Sequence, residues 1–445
     1  MKHYTFCIIN ILIFLILGTP NTNSQTVLSL KECINYAIEN NLHLKSAHIK
    51  EAQNVHTISE NQSKLYPHVS GFVSFNDNFN PPVSATDQSA NGSPYHITHT
   101  LQYSTGMGFQ LNMNLYNQAV LSSIKLVKQT TNLNTLNLQK IQEDIILNVA
   151  QLYLLAQTTN EQIKLIDNNI QNLSQLRNLT KTYLDNGMIL EVDLQRIDLN
   201  LNNLNTTKEN AELFLQQQYN SLKFIMDYPA EKKISVEPCN IFQATKSDAT
   251  GLSILLPELQ ILEQYIDIAQ SQLQVTRDNY LPSIALTGFM QWNAWTGDLK
   301  RWRGGYPDNK LWNSYGIGLT LKIPIFDGMS KHAKIKKGEL NIQDSRIKYQ
   351  YAQRDFQTKY DNALLQRECS YTTLMREKEA YSLAQNVYKI TSYQYTEGVT
   401  SMSDVLQDQM NINQARASYI NAYINFKMAN LSIIKLTGQI HTLAK

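Results

Sequence analysis

Two stretches of the chain, residues 118–186 and 339–397, contain neither glycine nor proline. With those breakers absent, each is predicted as one continuous helix of about 60–70 residues, roughly 90–100 Å long at 1.5 Å per residue. A globular domain has no use for that length. Ile163, Ile166, Ile170, Leu173, Leu176, Leu179 and Tyr183 recur at threes and fours, a seam that must be buried against other helices. Gly187 and Gly398 stand at the ends of the two stretches, and beyond them residues 188–228 and 399–437 are again free of glycine and proline. The pattern predicts two antiparallel helical hairpins, with each glycine supplying the left-handed backbone of its turn.

The tips KTYLDNGMILEVDLQR and YQYTEGVTSMSDVLQDQ share one layout, an aspartate (Asp193 or Asp404) six residues past the glycine. Their glycines are 211 positions apart, and the offset is 215 between Pro67 and Pro282 and 210 between Gly108 and Gly318. So regular a spacing points to an internal duplication, residues 25–239 followed by 240–445. The returning helices are shorter than their partners, and helical segments near 29–64 and 253–279 have the length to fill the remainder. Ser29 is placed to cap the first of these, followed by Cys33, Ile34, Ala37 and Ile38 at helical spacing.

Between the helices lie four candidate strands, residues 69–75, 105–115, 281–292 and 315–326. In the second, Thr105, Met107, Phe109, Leu111, Met113 and Leu115 alternate with Gly106, Gly108, Gln110, Asn112 and Asn114. In the fourth, Tyr315, Ile317, Leu319, Leu321 and Ile323 alternate with Gly316, Gly318, Thr320 and Lys322. Strands of about 9–11 residues with one apolar face fit a transmembrane barrel wall; a small sandwich is the plainer alternative. Longer polar connections, 76–102 and 293–314, join each pair. Trp292, Trp295, Trp302 and Trp312 cluster near the second, as an interfacial girdle or as ordinary loop packing.

Lys2 and His3 precede an apolar run from Ile8 to Leu17, then Gly18, Pro20 and small polar residues up to Gln25, which reads as a signal peptide over residues 1–24. No later run reaches the roughly 18 apolar residues of a membrane helix, so strands must make any crossing. The formal charge is +2 with 17% charged residues, and no basic surface argues for nucleic acid. Cys7 leaves with the signal and Cys33, Cys239 and Cys369 are widely spaced, so no disulfide framework is expected, and no cysteine directly follows a lipobox-like run, so neither is a lipid anchor. The histidines form no metal motif, His96 and His99 near Asp87 included, and no phosphate-binding loop follows a strand; no metal, cofactor or catalytic residue is expected. The basic stretch KHAKIKK, Lys331 to Lys337, reads as a solvated helix face or as one that meets lipid phosphates.

Four strands cannot close a barrel, because open edges in lipid leave backbone groups unsatisfied at several kcal/mol each. Closure takes about eight strands or more, so two, three or four chains would serve. The fold class expected is mainly α, with long antiparallel helical hairpins forming an α-barrel and four strands per chain contributing to a shared transmembrane β-barrel.

The sequence resembles the TolC-type outer-membrane efflux protein (outer membrane factor) family over residues 27–438. The resemblance is carried by LSLKECINYAIENN, KLYPHVSG, NYLPSIAL, GIGLTLKIPIFDG and the tip pattern YxxGxxSxxDVL, in duplicated order. It implies a homotrimer in the outer membrane whose helical tunnel extends into the periplasm. It also implies a periplasmic adaptor and an inner-membrane pump as partners in efflux or type I secretion, and no catalysed reaction. At the tunnel entrance it assigns Tyr395 as the gate tyrosine, Asp193 as its carboxylate partner and Asp404 as a constriction aspartate. Thr400 stands where the family has an arginine and Gln407 where it has a second aspartate, which weakens the salt-bridge part of the gate and the cation site. The same side chains have structural readings: Tyr183 and Tyr395 packing the turns, Asp193 and Asp404 favoring early helix positions. A periplasmic coiled-coil scaffold or surface adhesin without a pore is the competing class.

Overall fold

The computed structural model describes residues 26–80, 83–86, 96–99, 101–238, 256–298 and 311–444. The elements run β1 (Thr26–Leu28), α1 (Leu30–Asn40), α2 (Leu42–Ser63), β2 (His68–Asp77), β3 (Val83–Thr86), β4 (His96–His99) and β5 (Tyr103–Tyr116). The first hairpin follows as α3 (Gln118–Asp185) and α4 (Glu191–Met226), then β6 (Ile234–Val236), α5 (Pro257–Asp278), β7 (Ser283–Thr296) and β8 (Trp312–Lys322). The second hairpin is α6 (Ser330–Thr396) and α7 (Met402–Leu436), and a short 3₁₀ helix spans Ile440–Ala444. The signal-peptide residues, Cys7, Asp87, Cys239 and Trp302 lie outside the described residues.

The chain divides into two compact units, neither of which coincides with a sequence repeat. One comprises residues 49–136 and 260–351, the other residues 1–48, 137–259 and 352–445.

In the first unit β2, β5, β7 and β8 form one antiparallel sheet in that order. The register sorts its side chains by chemistry. Val69 pairs with Leu111, Val73 with Met107, Met113 with Leu286, Met290 with Tyr315 and Leu286 with Leu319, and because paired residues share a face, one face is apolar. The opposite face carries Ser70, Ser74, Gln110, Asn112, Thr287, Gln291, Ser314 and Thr320. Among the described residues the apolar face has no cover: Val73 is 83%, Tyr315 79% and Ile317 77% exposed. A sandwich would have covered it. Trp292 has the parity of the apolar face and Trp295 and Trp312 the opposite one, so these three tryptophans do not form a single outward belt. Part of the connection 76–102 reads as loop in sequence but pairs as β3 with β4. Among the described residues no helix is long and apolar enough to cross a membrane.

The second unit is helical around three apolar clusters. In the first, Cys33, Ile34 and Ala37 pack on Ile146, Val149, Tyr153, Leu222 and Met226. The predicted helix near 29–64 is in fact two. Ser29 and Glu32 form a capping box on α1, with Glu32 N–H donating to Ser29 Oγ at 3.2 Å. Asn41 then interrupts, its Oδ1 accepting from Leu44 N–H at 3.0 Å and its Nδ2 donating to the Ile225 carbonyl at 2.7 Å. Its short amide offers the backbone bonds that compete with helix continuation. Sequence periodicity also misses the parallel pair of β1 with β6, which Tyr153 ties together by donating to the Leu28 carbonyl at 3.0 Å and accepting from Glu237 N–H at 3.2 Å. Burial pushes the Cys33 thiol up to about 12, which suits a packing role. Cys369 is a free, exposed thiol.

The α3 seam is buried as expected at Ile163, Ile166, Leu173 and Leu176. By contrast α6 keeps Leu365, Leu383, Ile390 and Tyr393 exposed. The two hairpins are joined by Arg416 on α7, whose Nη1 donates to the Leu165 carbonyl on α3 at 3.0 Å and whose Nη2 donates to Asn413 Oδ1 at 2.9 Å. Burial lowers the pKa of this guanidinium.

Candidate functional site at the hairpin tips

Both tips close with the same backbone device. Gly187 and Gly398 each have φ of 73°, and a residue's N–H reaches back five positions in each: Met188 to the Tyr183 carbonyl at 2.9 Å and Val399 to the Gln394 carbonyl at 2.8 Å. These are Schellman closures, which satisfy carbonyls a helix end would otherwise leave open.

The helix starts that follow differ. Ser401 caps α7 in a full capping box with Asp404, whereas Leu190 occupies the same place on α4 and makes no side-chain cap. Asp404 Oδ2 accepts from Ser401 Oγ at 2.7 Å, Thr400 Oγ1 at 2.9 Å and Ser401 N–H at 3.2 Å, and these bonds lower its pKa. Thr400 thus serves the cap. Replacing Ser401 with alanine removes this cap and is expected to destabilize the second tip by about 1 kcal/mol. Amide exchange at the start of α7 should speed up accordingly while exchange at the start of α4 is unchanged. Gln407 Nε2 donates along its own helix to Asn411 Oδ1 at 3.4 Å.

Tyr395 is buried among Leu173, Leu176, Ile197, Met402 and Val405. Its ring centroid is 6.5 Å from that of Tyr183, whose hydroxyl donates to the Thr396 carbonyl at 3.5 Å. One tyrosine therefore touches the other tip through its backbone. Asp193 faces a groove of about 610 Å³ that Tyr183, Tyr395, Thr400 and Gly398 also line. Within one chain the carboxylate pairs with Arg196 at 3.4 Å. The hydroxyls of Tyr395 and Thr180 are buried side by side and interact with each other, without a well-formed hydrogen bond to any further group among the described residues. Burial raises the pKa of the Tyr395 phenol, the hydrogen bond with Thr180 opposes the rise, and the negative charge of Asp193 adds to it. The structure thus gathers Tyr183, Tyr395, Asp193 and Thr400 around one groove and places Asp404 in the cap beside it. Sequence reasoning missed Thr180 and Arg196. Arg196 carries a legible signal, a cation three residues after Asp193 on one helix face.

The family described as outer membrane efflux protein matches residues 33–226 and 255–439. Outer membrane protein TolC of Vibrio cholerae is 20% identical over 427 residues, covering 94% of this chain and 91% of its own. Outer membrane protein TolC of Escherichia coli is 19% identical over 351 residues, covering 76% and 70%. Among solved structures, the Campylobacter jejuni CmeC outer membrane channel superposes with a TM-score of 0.73 at 19% identity, covering 92% of this chain and 85% of that one. The chain belongs to the outer membrane efflux protein family. It is an outer-membrane component of an efflux system.

Proposed function

We propose that this chain, as a homotrimer, forms a passive conduit across the outer membrane, its helical hairpins extending into the periplasm to meet an adaptor and an inner-membrane pump. One observation carries this reading. The four-stranded sheet ends at β2 and β8 with its apolar face bare, and lipid tolerates neither an open edge nor a lone chain with one. Pairing β8 of one copy with β2 of the next closes the wall. The exposed apolar residues of α6 give the helical parts a matching contact. The role is conduction rather than catalysis, and type I secretion draws on the same architecture. The two sequence repeats are the traces of the duplication that built the hairpins.

The tips are the gate. In the closed state the Tyr395 hydroxyl turns from Thr180 and donates to the Asp193 carboxylate, a charge-assisted bond stronger than that neutral contact. Arg196 competes for the same carboxylate, and Thr400 and Gln407 leave the gate with less charge than the family pattern. Recordings in planar bilayers test both levels. The full-length protein is expected to insert with a low closed-state conductance that rises in the double variant Tyr395→Phe, Asp193→Ala. Unchanged closed-state conductance rejects the gate assignment; a protein that stays monomeric in plain buffer and never conducts rejects the conduit.

A further inference from the structure

A pocket of about 580 Å³ lies where α5 ends and β7 begins, beside the end of β8 and the start of α6. Three lysines line it, Lys322 from the end of β8 and Lys331 and Lys334 from the first turns of α6. The lining carries one acid, Asp278, which leaves two positive charges in excess. Asp278 is buried and already engaged, accepting from the Ser122 hydroxyl and from Gln274 Nε2 at 2.7 Å. The acid next along α6, Glu339, is taken by Lys336 at 3.0 Å and Arg277 at 3.3 Å. Asp327 caps α6 by accepting from Lys331 N–H at 2.9 Å but does not line the pocket. Lys331 Nζ lies 4.8 Å from the Tyr280 ring centroid, so its charge is held at the pocket by the aromatic face.

Register fixes which side of the wall Lys322 faces. Ser283 and Lys322 are paired, and their parity is that of the polar face, opposite Ile284, Leu321 and the rest of the lipid-suited residues. A lipid headgroup approaches from the apolar side, so the strand end places Lys322 away from lipid. The charge also belongs to the second repeat alone: Asn112, Val120 and Ser123 occupy the corresponding places in the first, 210 or 211 positions earlier.

We infer that these lysines form an anion-holding subsite on the conduit side of the sheet, selecting small carboxylate- or phosphate-bearing cargo. This rests on the conduit reading above. A cleft lined by one sign of charge focuses the field and concentrates counter-ions, and rings of lysine are how pores favor anions. Repeated around an oligomer, the subsite becomes such a ring. With Gln407 in place of an aspartate at the tip, less negative charge opposes it.

Reversal potentials across a planar bilayer holding the full-length channel in unequal KCl read this directly. The wild type is expected to pass chloride in preference to potassium. The variant Lys322→Glu, Lys334→Glu should lower that permeability ratio by at least about threefold, with the glutamine pair in between. Citrate, used as the probe anion, should reduce wild-type current at concentrations that leave the glutamate variant unaffected. Conducting wild type and glutamate variant with equal ratios and equal citrate block would overturn the subsite while leaving the conduit intact, and would return the lysines to a solvated or lipid-facing role. A wild type with no conductance removes both.

Discussion

Placing arginine at Ile317 is expected to abolish the heat-sensitive oligomer. Ile317 is near the middle of β8, paired with Gly288 on the apolar face. A charged side chain at the bilayer midplane of a barrel costs about 2–4 kcal/mol, and the penalty recurs in every copy. The control is Thr320→Arg on the opposite face of the same strand, where the side chain meets water and the oligomer should survive. The two variants are compared by electrophoresis without heating after detergent extraction. Equal behavior of the two would mean that the face assigned to lipid is wrong.

The second large effect concerns pH and lies in the helical unit. Glu143 on α3 is surrounded by Glu258 on α5, Asp144 on its own helix, Lys435 on α7 and His441 on the 3₁₀ helix. Its side chain is only 7% exposed, and its Oε2 has no partner among the described residues. Burial pushes the Glu143 carboxyl up to about 7, Glu258 and Asp144 add to the rise, and Lys435 opposes it. Lys435 spends its charge elsewhere, 2.8 Å from Asp144 and 3.5 Å from Glu258. The folded state therefore holds a proton that the unfolded chain releases near 4.5. The resulting stabilization is fully present below that lower value and is lost as pH rises through about 7, a difference of about 3 kcal/mol. Glu143→Gln keeps the shape and removes the titration. Its unfolding midpoint should exceed that of the wild type at about pH 8 and match it at about pH 4. A wild-type slope that persists in the variant would assign the titration to another group.

Much of this molecule is legible from local pattern. The absence of glycine and proline over residues 118–186 and 339–397 requires long helices, and the glycines at 187 and 398 require the turns, because backbone sterics act within a few residues. Alternation along β5 and β8 likewise announces one apolar face before any partner is known. Asp404 at the third helical position after Ser401 is a readable cap.

The remainder depends on residues far apart in the chain. β5 pairs with β7, so strands of the two halves make one sheet and the spatial units cut across the sequence repeats. Asn41 breaks a helix because the Ile225 carbonyl, 184 residues away, receives its amide. Glu143 and Glu258 come within electrostatic reach only once α3 and α5 pack together, and Tyr395 loses water only when Leu173, Ile197 and Val405 close over it. Periodicity sets which face of an element is apolar. Which other element covers that face, and which buried polar atoms are left without a partner beneath it, is decided by packing.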